Sequence, residues 1–361
     1  MTHLSDNLTM PAERILVLNP GSTSTKMAVY EGDRERERET LVHGALSLST
    51  FRGTWEQYPF RMQAIRRWLE NHSYKFDAIA VIGGLLKPLE SGTFHINEAM
   101  LSDARANIQG AHASNLGCAM AYELAKDHGC RAFVVDPVSV DEFSSLARYS
   151  GHPAIARSSL SHALNIHATV RRAAAELGKP TSETSLVVAH LGGGISIAPV
   201  KRGRIIDVND ASSDGPFSPE RTGGLPLQQF IGLCYSGKYS ESEIRSLVMG
   251  KGGLRAYLGT NSANDVEACI ERGDTQAEEV FEAMAYQIAK EIGAMSTVLY
   301  GKLDAIVLTG GLASSSRLVN WIRDRVQFIA RVMVYPGEDE MLALAQGVLR
   351  VLRGQEQAKE Y

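Results

Sequence analysis

The stretch that most restricts the possible folds is one the chain uses twice. Residues 15–31 read ILVLNPGSTSTKMAVYE. An apolar run, Ile15–Leu18, is broken at Pro20 and Gly21. Four hydroxyl residues, Ser22, Thr23, Ser24 and Thr25, and then Lys26 lead into a second run, Met27–Tyr30. Residues 185–208 repeat the form with other side chains. Ser185–His190 is a strand, Gly192-Gly193-Gly194 a tight turn and Ile195–Val200 a second strand; Lys201–Gly203 reverses the chain and Arg204–Val208 is a third strand. Short apolar runs punctuated by glycine and proline read as buried strands joined by turns. In the first copy the third strand is expected over Thr40–Leu48, after a solvated hairpin tip at Asp33–Glu39 (DRERERE).

The copies start about 170 residues apart, too far for a solenoid repeat. They predict an α/β chain of two structurally duplicated domains, with the boundary near residues 150–160. Between the copies, helical spacing covers Trp55–Asn71, Glu98–Gln109 and Ser114–His128, and strands are expected at Phe76–Ile82 and Arg131–Val135. Ala154–Leu177 reads as a helix stopped by Gly178 and Pro180. Later, Ser240 and Glu243 have the spacing of a capping box. Phe281, Met284, Ile288, Ile292, Met295 and Leu299 recur every three or four residues, one apolar face of a long helix over Gln276–Tyr300. Leu303–Leu308 and Arg331–Val334 read as strands, and Ser316–Ala330 and Glu338–Leu352 as helices. The division expected is residues 1–155 and 156–335, with the closing segment 336–361 packing on the first domain.

Composition removes several function classes. A net charge of −4 favours neither nucleic acid nor an anionic membrane surface. No apolar run reaches membrane-spanning length. The opening MTHLSDNLTMPAER lacks the apolar core of a signal peptide. The cysteines Cys118, Cys130, Cys234 and Cys269 are widely spaced, with no CxxC. That indicates reduced thiols, and a cytoplasmic location is expected.

Chemistry gathers at three turns that follow strands: Asn19–Lys26, His190–Gly194 and Thr309–Leu312. A small polar turn presents backbone N–H and hydroxyl donors to an anion, and glycine lets the backbone approach it. Lys26 adds a point charge suited to phosphate. No Gly-Lys pair is followed by Ser or Thr, so this is not a Walker A loop. Turns of this kind in two matching halves point to a nucleotide held in a cleft between them. Asp136, ahead of Pro137, is expected in extended geometry at a strand's carboxyl end, where open α/β sheets bind ligands. It reads equally as a magnesium carboxylate or as a turn cap. His112, His152 and His190 lie beside turns, with structural roles as the alternative, and Arg221 sits in a Pro/Gly-rich loop with an ion pair as its alternative.

These residues carry a resemblance. LNPGSTSTK (Leu18–Lys26), HASNLG (His112–Gly117), VVDPVSVDE (Val134–Glu142), SGHP (Ser150–Pro153) and AHLGGGISIA (Ala189–Ala198) resemble the motifs of the acetate kinase family. GPFSPERTGGLPL (Gly215–Leu227), AYLGT (Ala256–Thr260) and VLTGGLA (Val307–Ala313) complete the set. The family lies within the sugar kinase–Hsp70–actin superfamily, and the wording is closer to its butyrate kinases than to its acetate kinases. The resemblance implies two duplicated actin-like (ribonuclease H-like) domains around a nucleotide cleft. It implies transfer of a phosphoryl group from ATP, with Mg²⁺, to a short-chain carboxylate, giving an acyl phosphate and ADP. Asn19, Ser22, Ser24 and Lys26 would face the transferring group, His152 and Arg221 would stabilise its oxygens, and Asp136 would orient the metal. His190, Gly192, Gly193, Gly194, Gly310, Gly311 and Leu312 would hold the nucleotide. Ile82, Gly83, Gly84, His112 and Asn115 are implied near the acid, and a homodimer or higher oligomer is implied as well. One position departs: where the family has arginine before the glycine pair, this chain has Ile82. An acetate or propionate kinase, or a nucleotide-binding regulator with weakened catalysis, are the alternative readings.

Overall fold

The computed structural model describes residues 12–44 and 50–361. The described chain divides into two compact units. The first takes the described residues up to Lys87, then Gly92–Pro137 and Glu340–Tyr361; the second takes Pro88–Ser91 and Val138–Asp339. The division therefore falls before the expected boundary at residue 155. Its cause is local: Val140 is buried in a core of the second unit with Leu89 packed against it, and Leu89 and Val140 form a β-bridge.

In the first unit the strands are β1 (Arg14–Pro20), β2 (Ser24–Glu31), β3 (Arg34–Val42), β4 (Ala78–Val81), β5 (Thr93–His95) and β6 (Arg131–Val135). They form one sheet in the order β3-β2-β1-β4-β6-β5, antiparallel through β1, β2 and β3 and parallel from β1 to β4 to β6. Ile15–Leu18 and Ala78–Val81 are buried at every residue, so both faces of these strands are covered. The helices Asn115–His128 and Glu340–Leu352 both pack on β1, β4 and β6.

The DRERERE segment is strand rather than hairpin tip. The reversal is confined to Gly32 and Asp33, and β3 is an edge strand whose charges pair locally: Arg38 with Glu35 at 2.5 Å, Arg36 with Glu31 at 2.5 Å and His72 with Glu37 at 2.8 Å. Charged edges of this kind discourage pairing with other chains. Residues 45–48 of the expected third strand, and the N-terminal stretch up to residue 11, lie outside the described residues.

The second unit opens with a small hairpin, β7 (Tyr149–His152) and β8 (Ile155–Ala156), where a helix was expected. The helix begins only at Ala163. The cause is Arg157, whose guanidinium donates to Ala147 O and Val208 O and ties this segment into loop geometry. The sheet has β9 (Ser185–Leu191), β10 (Ile195–Lys201), β11 (Arg204–Ile205), β12 (Ala305–Gly310) and β13 (Val332–Pro336) in the order β11-β10-β9-β12-β13. Its pattern is that of the first five strands of the first sheet, an antiparallel hairpin meander followed by parallel strands; the first sheet adds β5, antiparallel to β6, at its edge. The twofold sequence form is thus a twofold topology. Alternate residues of β9 and β12 enter opposite cores. Val187, Ala189, Ile306 and Leu308 meet the long helix Thr275–Val298, while Leu186, Val188, Ala305 and Val307 meet the helix Ala163–Leu177. Ser240 and Glu243 form the expected capping box at the helix Glu241–Val248.

Candidate active site

In the first unit, the ladder register organises the turn after β1. Asn19 pairs with Lys26 and Pro20 with Thr25. Directly paired residues of antiparallel strands share a face, and so do residues two apart on one strand. Asn19, Lys26 and Ser24 therefore lie together on one face, while Thr25 points the other way and is buried. Of the four hydroxyls, Ser22 and Thr23 are exposed at the tip. Thr25 Oγ1 is instead 2.9 Å from His43 Nε2 and accepts from Arg61 Nη1 at 3.2 Å.

Two residues here were not singled out from sequence. Arg61 lies behind the turn, fully buried. Glu340, at the start of the closing helix, accepts from Asn19 Nδ2 at 2.7 Å. Only an unexplained arginine in an apolar helix face, and an acid in a helix's first turn, marked them in the sequence.

The segment after β4 is held by close packing. A side chain at Gly84 would run into Asn115, so only glycine fits. Asn115 is fully buried; its Oδ1 accepts from Leu85 N–H at 2.8 Å and its amide donates to Asn107 Oδ1 and Gly110 O at 2.8 and 3.0 Å. Its polar atoms are committed to shaping this loop. Ile82 stands partly exposed at the end of β4, where its N–H reaches Leu18 O. His112 Nδ1 accepts from Ser114 N–H at 3.2 Å and meets Ser114 Oγ at 2.7 Å, an N-terminal link to the helix Asn115–His128.

Asp136 is not extended. It follows β6 with φ of 38°, left-handed geometry that aspartate tolerates better than most residues. A reciprocal pair holds it there: its N–H donates to Gly92 O at 3.0 Å and its Oδ1 accepts from Gly92 N–H at 2.7 Å. The carboxylate is buried, and strain of this kind at a strand's end is a mark of functional sites.

In the second unit, Gly192–Gly194 close the β9–β10 turn, with Gly192 N–H donating to Gly194 O at 3.1 Å and Ser218 Oγ to Gly193 O at 2.6 Å. The Arg221 guanidinium lies against Gly194, where any Cβ would strike it. Arg221 Nη1 donates to Ala211 O at 2.8 Å, while its Nε is buried with no partner among the described residues. A half-buried cation with an unspent donor is suited to an anion. Burial disfavours its charge, and Glu220 and Asp210 partly offset this.

His190 is buried and donates from Nδ1 to Asn165 Oδ1 at 2.9 Å. His162, which sequence reasoning missed, stacks on it with ring centroids 3.9 Å apart. Burial and the Arg221 charge push His162 down to about 4. Burial, then His162 and Arg221, push His190 well below its ordinary value. His152, by contrast, lies on the exposed hairpin β7–β8, and its ring Nδ1 accepts from Ala154 N–H. The structure does not bring it into contact with the glycine turn. At the end of β12, Gly310 bridges to Gly337, and Gly311 and Leu312 begin the short turn that precedes the helix Ser316–Val326.

Two sheets that share one five-strand pattern, each with a polar or glycine turn after its first strand, define a duplicated α/β class of protein. The comparisons agree. The sequence model of the acetokinase family matches residues 160–334. The chain is similar to the probable butyrate kinase 2 of Caldanaerobacter subterraneus subsp. tengcongensis, 50% identical over 351 residues, covering 96% of this chain and 99% of that one. It is 48% identical over 352 residues to butyrate kinase 2 of Clostridium acetobutylicum, with the same coverage. In structure it is similar to Porphyromonas gingivalis acetate kinase, with a TM-score of 0.77, 19% identity and coverage of 94% and 99%. The chain belongs to the acetokinase family, whose members are phosphotransferases with a carboxylate as acceptor.

Proposed function

We propose that the protein transfers the γ-phosphoryl group of ATP reversibly to butyrate or a related short or branched carboxylate. The observation that carries this is the shared face of Asn19, Ser24 and Lys26, set by the β1–β2 register. A carboxylate oxygen is already nucleophilic, so the step needs no general base. The carboxylate forms the new O–P bond as the bond to the ADP oxygen breaks, and ADP leaves with the electron pair. What the protein supplies is position and charge. Asn19, Ser22, Ser24 and Lys26 face the transferring group, and Arg221 stabilises its oxygens through its unspent guanidinium donors. His190 with Gly192, Gly193 and Gly194, and Gly310 with Gly311 and Leu312, hold the nucleotide. His152 is given no role in the step, because its contacts stay within its own hairpin. Ile82, Gly83 and Gly84 border the acid, with Asn115 and His112 fixing that loop.

The side chains also fit Mg²⁺. Among the described residues no group of three or more His, Cys, Asp or Glu is poised to cage a metal. Magnesium is usually held by one or two carboxylates together with substrate phosphates; Glu340, which accepts from Asn19, and Asp136, which accepts from Gly92, are the carboxylates that would hold it. When bound, the ion neutralises charge on the phosphates. The second reading, a nucleotide-binding regulator, rests on Ile82.

The helix Leu227–Cys234 buries none of its residues, Leu227 is 72% exposed and Tyr235, which follows the helix, is 88% exposed, which supports a homo-oligomer through this face. No helix among the described residues is long and apolar enough to cross a membrane. The four cysteines are unpaired, in keeping with a cytoplasmic enzyme.

The test is ATP-dependent trapping of acyl phosphate by hydroxylamine across acids of two to six carbons. A maximum at four carbons is expected. A maximum at two or three would make this an acetate or propionate kinase. Nucleotide binding with no product from any acid would favour the regulator.

A further inference from the structure

The carbonyls of the turn after β1 are all held on the protein side. Gly21 O accepts from Arg61 Nη1 at 2.9 Å, and Ser22 O from Arg61 Nη2 at 3.1 Å. Thr23 O accepts from His43 N–H at 2.8 Å. Ser24 O accepts from Gly21 N–H at 2.8 Å and from Arg61 Nη1 at 3.1 Å. In a planar trans peptide, each C=O and the N–H that follows it point to opposite sides. Fixing the Gly21 and Ser22 carbonyls on the guanidinium therefore turns the Ser22 and Thr23 N–H groups away from it, on residues that are exposed. Successive N–H groups aimed outward make an anion cradle.

Arg61 is itself unusual. Its side chain comes from the helix Tyr58–Glu70 and has no exposed surface. Its remaining bonds run from Nε and Nη2 to Gln57 Oε1, at 3.1 and 2.9 Å, and from Nη1 to Thr25 Oγ1 at 3.2 Å. Every one of these acceptors is neutral. Arginines are almost never fully buried unless paired, because an uncompensated buried charge is costly. Here the hydrogen-bonding partners leave the positive charge uncancelled directly behind the turn.

We propose that Arg61 is a positioning residue for phosphoryl transfer: it aims the Ser22 and Thr23 amides at the transferring group and places a buried positive charge behind them. The inference rests on the reading that this turn faces the phosphoryl group.

The test is steady-state kinetics of the full chain with ATP and butyrate for Arg61→Ala, Arg61→Lys, Gln57→Met and, as a control on the reading, Lys26→Met. Each variant is also melted by circular dichroism. Arg61→Ala is expected to lose about 10²–10³ in kcat, with KM for butyrate unchanged. Added ethylguanidinium should return part of that loss, which a merely structural role would not produce, and Arg61→Lys should fall between. Gln57→Met keeps the cation but frees its fork; it should melt as the native chain does and lose about tenfold or more in kcat. A folded Arg61→Ala with native kcat overturns the proposal. So does native kcat in Gln57→Met if Arg61→Ala fails to fold. Native kcat in Lys26→Met would instead remove the turn from the reaction, and the underlying reading would go first.

Discussion

Asn19 Nδ2 donates to Glu340 Oε2 at 2.7 Å, joining the end of β1 to the first residue of the closing helix across 321 positions of sequence. The bond fixes the amide that borders the phosphate turn and brings a carboxylate to a turn whose own side chains are neutral or cationic. Glu340→Gln keeps an oxygen to accept from Asn19 but removes the charge. Its melting temperature is expected to stay close to native. kcat should fall by about 10²-fold, with a higher Mg²⁺ concentration needed for half-maximal rate. A magnesium titration of the rate decides this, and an unchanged half-saturation point would separate Glu340 from the metal.

Arg221 lies against Gly194 with its Nε buried and unpartnered among the described residues. Its truncation removes a charge-stabilising donor without opening a hydrogen-bond network, apart from the single bond to Ala211 O. Arg221→Ala is expected to cost about 10²–10³ in kcat and little in stability. Wild-type turnover in that variant would take the residue out of the mechanism.

Ile82 directly follows β4, beside the tightly packed Gly83 and Gly84, where the acetokinase resemblance implies arginine. Isoleucine offers no fork to a carboxylate or phosphate, whereas arginine offers two parallel bonds. A catalytic arginine is worth about 10³–10⁵ in rate in other phosphoryl transfers. Ile82→Arg is therefore expected to raise kcat with butyrate and to move preference toward shorter acids, because it also fills apolar space. Rates of both forms across the two- to six-carbon series check this. No gain, or a loss, would mean that another group already does the work.

The stacked pair His162 and His190 sets a pH dependence. Both are held neutral in the fold, His162 down to about 4 and His190 well below its ordinary value. In the unfolded chain both titrate near 6.5. Between about 6.5 and about 4 the unfolded state therefore binds more protons, and stability falls as pH drops through that window. His162 alone should account for about 3 kcal/mol across it. Urea midpoints at several pH values measure the slope, and His162→Gln should flatten it. An unchanged slope in that variant would assign the effect to other groups.

The sequence by itself determined the repeated form. Alternation of apolar and turn residues is a local property, so the runs at Ile15–Leu18 and Ser185–His190, with their breaks, already specify strands, turns and a duplicated topology. It also named Asn19, Ser24 and Lys26, because one turn holds all three. It failed where distant segments meet. Arg61 and Glu340 reach the turn from helices elsewhere in the chain, and a charge on an apolar helix face does not by itself say that an arginine will be buried against carbonyls. Asp136 was expected extended from the proline that follows it, but a reciprocal bond with Gly92 outweighs that local preference. His152 and His162 are equally good candidates as letters, and only packing put one on an exposed hairpin and stacked the other on His190. Backbone preference is set by neighbours in sequence and so is legible there. Which buried polar groups satisfy one another is set by neighbours in space, and that was decided by the tertiary structure alone.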